Sequence, residues 1–152
     1  SERDLDEIFP VMAMLEGRTA FEASQKAKAD DIARLESIHN LLEVHAASGD
    51  KERFFEANQE FHRAVQELAD NRWLQQVIQD LRKVLKLTRL HSLSAEGRLQ
   101  QSLAEHRLIM AGFKARDAKR AEQAMHDHLL AGREALAKMH AREAGKSSAK
   151  AA

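Results

Sequence analysis

The chain has 152 residues, enough for one domain that buries about two thirds of its unfolded surface without covalent staples. It contains no cysteine, which excludes a disulfide framework and a thiolate metal site and permits a reducing, cytoplasmic setting. Basic and acidic residues balance at 24 each, so the positive surplus that drives nucleic-acid affinity is missing, and no apolar run approaches the roughly 20 residues of a membrane helix. The opening Ser1-Glu-Arg-Asp-Leu has no signal-peptide pattern.

One proline, six glycines, no tyrosine and an abundance of Ala, Leu, Glu, Gln, Lys and Arg predict an all-α protein. A first helix is expected from Leu5 to Gln25 on Ile8, Val11, Met12, Leu15 and Thr19, with Pro10 kinking it or marking its true first turn. Asp30 or Asp31 caps a second, on Ile32, Leu35, Ile38 and Leu42, which ends at Ser48-Gly49. Asp50 caps a third, running to about Ala69, and Asp70-Asn71 makes a turn. A fourth runs from about Trp73 to Leu90 on Leu74, Val77, Ile78, Leu81, Val84, Leu85 and Thr88, with Trp73 expected to plug the end of the bundle. His91 to Gly97 reads as a loop. The fifth helix carries Leu99, Ser102, Leu103, His106, Ile109, Met110 and Phe113. After a turn at Arg116-Asp117, the sixth carries Ala121, Ala124, Met125, His128, Gly132 and Leu136. Short connections predict an antiparallel bundle of six to seven helices over residues 1–143, and residues 144–152 read as a disordered tail.

Polar residues interrupt the apolar stripes at particular places. In the third helix Phe54, Asn58, Phe61, His62, Val65 and Leu68 share one face, so Asn58 and His62 point inward together, one turn apart. His106 lies eleven residues before Asp117 and His128 eleven after it; a hairpin with Asp117 at its apex puts the two imidazoles at one level. His126, about 200° around the helix from His128, faces outward. His39, His45, His91 and His140 have no comparable pattern. A lone histidine on an apolar face is usually a core residue bonded to a carbonyl or a water. Three imidazoles and an amide converging from three helices instead suit Zn²⁺, Ni²⁺, Co²⁺, Mn²⁺ or Fe²⁺. Glu16 and Glu105 adjoin these stripes and could orient ligands from behind, although glutamates more often lie on the surface.

At these residues the chain resembles the C-terminal effector-binding domain, FCD, of FadR-type GntR transcription regulators. The resemblance runs from Asp4 to about Leu136 through DLDEIFPVMAMLEG (Asp4 to Gly17), NQEFHRAVQELADNRWL (Asn58 to Leu74), SLAEHRLIMAGFKARDAKRAEQAM (Ser102 to Met125) and His128-Leu129. It implies a helical bundle that binds a small organic-acid effector, often with a central metal, in a homodimeric regulator. Such a regulator reads DNA through an N-terminal winged-helix domain absent from this chain. The family's metal pattern maps onto Asn58, His62, His106 and His128, the set that periodicity selects, and Zn²⁺ or Ni²⁺ is the leading expectation.

The chain departs from that family in two places. Many relatives place an effector-pairing arginine three residues after the first-helix phenylalanine, where Met12 stands here, and most have aspartate at the position of Asn58. With only neutral ligands the metal keeps its double charge, which favours an anionic effector oxygen. Ser102, one turn before His106, is then a hydrogen-bonding partner for the effector, and Arg89 a substitute anion partner. The plainer readings are a Ser102 hydroxyl bonded to its own helix and a solvated Arg89. Two rival functions are a metal-free structural dimerisation module and a mononuclear metal hydrolase, the latter disfavoured because no buried general base is evident beside the cluster.

Overall fold

The computed structural model describes the backbone of residues 1–151 and the side chains of residues 1–146 and 149. Six helices and, among the described residues, no strand make an all-α bundle: α1 (Glu2–Lys26), α2 (Ala29–Ser48), α3 (Lys51–Ala69), α4 (Arg72–Ser92), α5 (Arg98–Lys114) and α6 (Ala118–Ala151).

Local chemistry sets the boundaries. Ser1 and Asp4 form a capping box that starts α1 three residues before the expected Leu5. Pro10 therefore lies in the interior of α1 rather than in its first turn, and the Asp6 carbonyl receives no amide from it. α2 is capped at Lys28, whose N–H donates to Asp31 at 2.8 Å, and ends on Gly49 with φ 70°. Asp50 and Asn71 accept from the Arg53 and Leu74 amides and start α3 and α4, and Asp117 accepts from the Arg120 amide at the start of α6. α4 runs two residues past the expected Leu90, which leaves residues 93–97 as its link to α5.

α6 packs along α1 and returns against α5; α3 lies between α1 and α2, and α2 also touches α5. The main core joins Phe9, Met12, Phe61, Val65, Ile109, Phe113, Met125 and Leu129, and a smaller cluster gathers around Leu42, Phe54, Phe55 and Leu103. Each fully buried side chain of this size contributes about 1.5–3 kcal/mol of transfer free energy. The α5–α6 hairpin closes tightly because Gly112 has no Cβ; one built there would lie 2.7 Å from the Ala121 amide nitrogen.

Other expectations change as well: Val77 and Val84, expected on the inward stripe of the fourth helix, are 47% and 69% exposed. Trp73 does not plug the bundle: it is 68% exposed, with the Arg72 guanidinium 5.2 Å from its ring centroid. It stands in the first turn of α4 on the side away from Ile78, Arg82 and Leu85, which face inward. Residues 144–151 continue α6 as helix where composition predicts a disordered tail; Ala and Lys sustain a helix that meets no proline. The last residue, 152, lies outside the described residues.

Candidate metal centre

His62 on α3, His106 on α5 and His128 on α6 meet in the middle of the bundle, all buried. One nitrogen from each lies within 4.8 Å of the others. Ring centroids are 4.4 Å apart for His106–His128, 5.3 Å for His62–His128 and 5.4 Å for His62–His106. The two histidines equidistant from Asp117 thus do stand level across the hairpin. His126 lies on the outer side, beside Asp127.

Two of the three outer ring nitrogens are hydrogen-bonded, and the third lies beside a carboxylate without a hydrogen bond to it. His106 Nδ1 lies 2.8 Å from the Ser102 carbonyl, an arrangement that fixes the proton on Nδ1 and leaves the Nε2 lone pair free. His128 Nδ1 lies 2.7 Å from Glu105 Oε1, and His62 Nδ1 lies 3.3 Å from Glu16 Oε1. Both carboxylates are held in turn by arginines. Arg82 donates to Glu16 through Nε at 2.7 Å and to Gln59 at 2.9 Å; Arg98 grips Glu105 with two bonds of 2.8 and 3.0 Å. The glutamates are therefore not surface residues: Glu16 is buried on α1, and Glu105 is nearly so.

Nothing answers the inner side. The Nε2 atoms of all three histidines and Oδ1 of Asn58 are buried without a hydrogen-bond partner among the described residues. Burial holds all three imidazoles well below their ordinary pKa, with the charge on Arg82 the next cause for His62 and that on Arg98 for His128. They are neutral at pH 7, with lone pairs available. Buried unsatisfied acceptors cost free energy, and a divalent cation is the partner that this donor set fits.

Asn58 and His128 also line a cavity of about 30 Å³, together with Ser102, Arg89, Arg98 and Ser92. Ser102 is buried there. Arg89 is not a freely solvated side chain: its Nη1 is buried and unpartnered, and burial with the nearby charges of Arg82 and Arg98 pushes its pKa down to about 9. Met12 is fully buried in the main core, outside the residues that line this cavity.

Arg82 and Arg98 are the residues that the sequence reading missed. Arg82 lies one turn after Ile78 on the inward face of α4, which is a periodicity signal; Arg98 opens α5, where no stripe marks it.

Comparisons with known proteins show the family to which this bundle belongs. A family model described as "FCD domain" matches residues 7–131. The chain belongs to this family, the ligand-sensing regulatory domain of GntR-type transcription regulators. It is 33% identical over 118 residues to the galactonate operon transcriptional repressor of Escherichia coli (strain K12), covering 75% of this chain and 49% of that protein. It is 25% identical over 131 residues to the uncharacterized HTH-type transcriptional regulator YdhC of Bacillus subtilis (strain 168), covering 85% and 56%. The chain thus spans about half the length of these curated relatives. Among solved structures, E. coli McbR/YncC superposes with a TM-score of 0.83 at 22% identity, over 91% of this chain and 70% of that one. Streptococcus agalactiae GntR superposes with 0.73 at 20% identity, over 87% and 58%. These relatives are regulators rather than enzymes. No described helix is long and apolar enough to cross a membrane.

Proposed function

We propose that this chain is the metal-binding, effector-sensing domain of a cytoplasmic GntR/FadR-type regulator. In this reading His62, His106, His128 and Asn58 hold one divalent ion, Zn²⁺ or Ni²⁺ before Mn²⁺, Fe²⁺ or Co²⁺. The observation that carries it is the convergence of three buried, unpartnered Nε2 atoms, with the opposite ring nitrogens of His106 and His128 hydrogen-bonded to acceptors and that of His62 3.3 Å from a Glu16 oxygen. A bound ion would supply a double positive charge and Lewis acidity; the chain's own residues set the rest.

A small organic acid is the effector that their charges favour. Around the centre Arg82, Arg89 and Arg98 face only Glu16 and Glu105, so one buried positive charge is left over before any metal is counted. Arg89 is the unpaired cation and receives the carboxylate, while Ser102 hydrogen-bonds an effector oxygen. Met12 offers no charge at the place where relatives have arginine, and serves as packing. The cavity holds about two waters, so an organic acid enters only by moving the helices or side chains that close it. Occupancy thereby biases the arrangement of the bundle, and in a homodimer that bias reaches DNA through winged-helix domains lying outside this chain.

The test uses protein purified without a histidine tag. Elemental analysis should find about one divalent ion per chain. Zn²⁺ or Ni²⁺ should raise the melting temperature, and members of an organic-acid panel should raise it further by mass action. His106→Ala should abolish the metal-dependent rise while His126→Ala keeps it. Absence of bound metal together with no metal-dependent rise would overturn the reading.

A further inference from the structure

The cavity beside the histidine cluster extends toward one end of the bundle. One turn away from His62, His106 and His128 the same helices carry Asn58, Ser102 and Gly132, and one turn further Phe54, Arg98 and Leu136; all six line the cavity. It is therefore built in layers, and the layers differ in chemistry. Near the histidines stand its unused polar groups: Asn58 Oδ1 and Arg89 Nη1 are buried without a partner, and the Arg89 charge is felt by both His62 and His128. At and beyond Gly132 the walls are Phe9, Phe54, Leu93 and Leu136, all buried. The polar side chains at that end are already engaged: Arg98 is bonded twice to Glu105, and the Ser92 hydroxyl donates to the Arg89 carbonyl at 2.7 Å.

Gly132 has no conformational reason to be glycine. It lies inside α6, without the positive φ of Gly49 or Gly97. Glycine in a helix interior is less stable than alanine there. Nor does a neighbouring backbone press on it, as the Ala121 backbone does on Gly112: a Cβ on Gly132 would meet only Phe9 Cε1 at 3.6 Å and Arg98 Nη2 at 3.9 Å, ordinary contact distances. What the missing methyl leaves is room, on the cavity wall between the polar and the apolar layers. About 6 Å of helix axis separates Gly132 from His128 at 1.5 Å per residue, the reach of a few carbon atoms.

We propose that the effector is a short monocarboxylate with an apolar end, whose head meets Arg89 beside the histidine cluster and whose tail lies against Gly132, the residue that sets the length of tail accepted. The inference rests on the organic-acid part of the reading above and narrows it; a polyhydroxylated sugar acid is the alternative it excludes. Each hydroxyl of such an acid gives up its water on entering, and past Gly132 the cavity wall offers, among the described residues, only polar side chains already engaged. A methylene there gains from burial against Phe9, Phe54 and Leu136.

Calorimetric titration of the Zn²⁺-loaded chain with acetate, propionate, butyrate, pentanoate and hexanoate reads the tail directly. Affinity should rise about fourfold for each methylene as far as butyrate and fall again by hexanoate. Gluconate and galactonate should bind at least about 10-fold more weakly than butyrate, whose tail leaves no hydroxyl unpaired. Butyramide, which keeps the tail and lacks the charge, should not bind. Gly132→Ala, with its fold verified by circular dichroism, should weaken butyrate by about 10-fold or more and move the optimum to a shorter acid. Leu136→Ala, which enlarges the far end, should move it to a longer one. An unchanged optimum in Gly132→Ala overturns the role of that residue. Gluconate or galactonate binding more tightly than butyrate overturns the apolar tail and leaves the organic-acid reading standing. No binding by any of these acids, sugar acids included, at about 10 millimolar overturns both.

Discussion

Two arginine–glutamate–histidine arms reach the centre of the bundle, and they are built differently. In one, Arg82 of α4 holds Glu16 of α1 behind His62 of α3, so three separate helices meet in one buried contact. In the other, Arg98 and Glu105 sit two turns apart on α5, and only His128 comes from elsewhere. The first arm is a product of tertiary packing; the second is mostly one helix's own spacing. The carboxylate–histidine contact is 3.3 Å in the first and 2.7 Å in the second. The same chemistry is thus held loosely where it depends on three helices and closely where one helix supplies most of it.

Breaking the arms at their arginines should have the largest effect. Removing one partner of a buried ion pair leaves an uncompensated charge, at about 3–5 kcal/mol. Arg82→Met strands Glu16, which is 2% exposed, and removes the bond to Gln59 that ties α4 to α3. Arg98→Met strands Glu105, which retains 14% side-chain exposure and can recover some hydration. Chemical denaturation should therefore show Arg82→Met as the more destabilised variant. An equal loss would mean that the two arms are energetically alike despite their construction.

Acid should act on both arms at once. Burial, reinforced by Arg82 for His62 and by Arg98 for His128, keeps these imidazoles and His106 neutral in the fold, with pKa well below 6.5. The unfolded chain takes up those protons first, so it binds more protons than the native state below about pH 6.5. Stability of metal-free protein is then fully present above that pH and falls as pH is lowered toward the folded values. The slope is at most about 1.4 kcal/mol per pH unit for each histidine. Denaturation midpoints measured from pH 8 down to pH 5 should decline below 6.5, and a flat profile would contradict neutral burial.

The hairpin that carries the second arm can be strained without touching the first. Gly112→Ala places a methyl 2.7 Å from the Ala121 amide nitrogen and 2.8 Å from its Cα, backbone atoms that cannot swing aside. Overpacking of this kind costs about 1–3 kcal/mol. It should shift His128 relative to His106 while Glu16, Arg82 and His62, on other helices, keep their contacts. Histidine resonances in NMR should move most for His106 and His128 and less for His62, whose ring neighbours both at 5.3–5.4 Å.

How much of this was legible in the sequence follows from the same division. Six helices, the cap at Asp50, the turn at Asp70-Asn71 and the level pair His106 and His128 depend on spacing along one helix or across one short turn, and spacing is what a sequence displays. Glu16 and Glu105 were visible as neighbours of the right stripes, but their burial was not, because it is Arg82 and Arg98 that make it tolerable. Arg82 occupies an inward position on α4 that periodicity marks, yet an arginine there looks like an error until Glu16, 66 residues earlier in the chain, is placed against it. Trp73 misled for the opposite reason: its apolar bulk suggests a core, while its angular position puts it with Val77, Val84 and Leu87 on the outer face of α4. An apolar residue on a helix with two apolar faces cannot be assigned by hydrophobicity alone.

The gentlest test exchanges each carboxylate for its neutral isostere. A carboxylate behind a ligating imidazole fixes the ring and raises the basicity of the opposite nitrogen, and its loss lowers metal affinity by about 10- to 100-fold. Glu105→Gln keeps the shape and an acceptor oxygen but removes the charge that His128 meets at 2.7 Å, whereas Glu16→Gln acts on His62 across 3.3 Å. Competition titrations with a chelator should therefore give the larger drop in Zn²⁺ affinity for Glu105→Gln, toward the upper end of that range. Glu16→Gln should instead lose more stability in the metal-free state, since it leaves Arg82 buried without its anion. If affinity falls equally in both, the shorter contact confers no advantage on the metal, and the closeness of the second arm is a matter of packing alone.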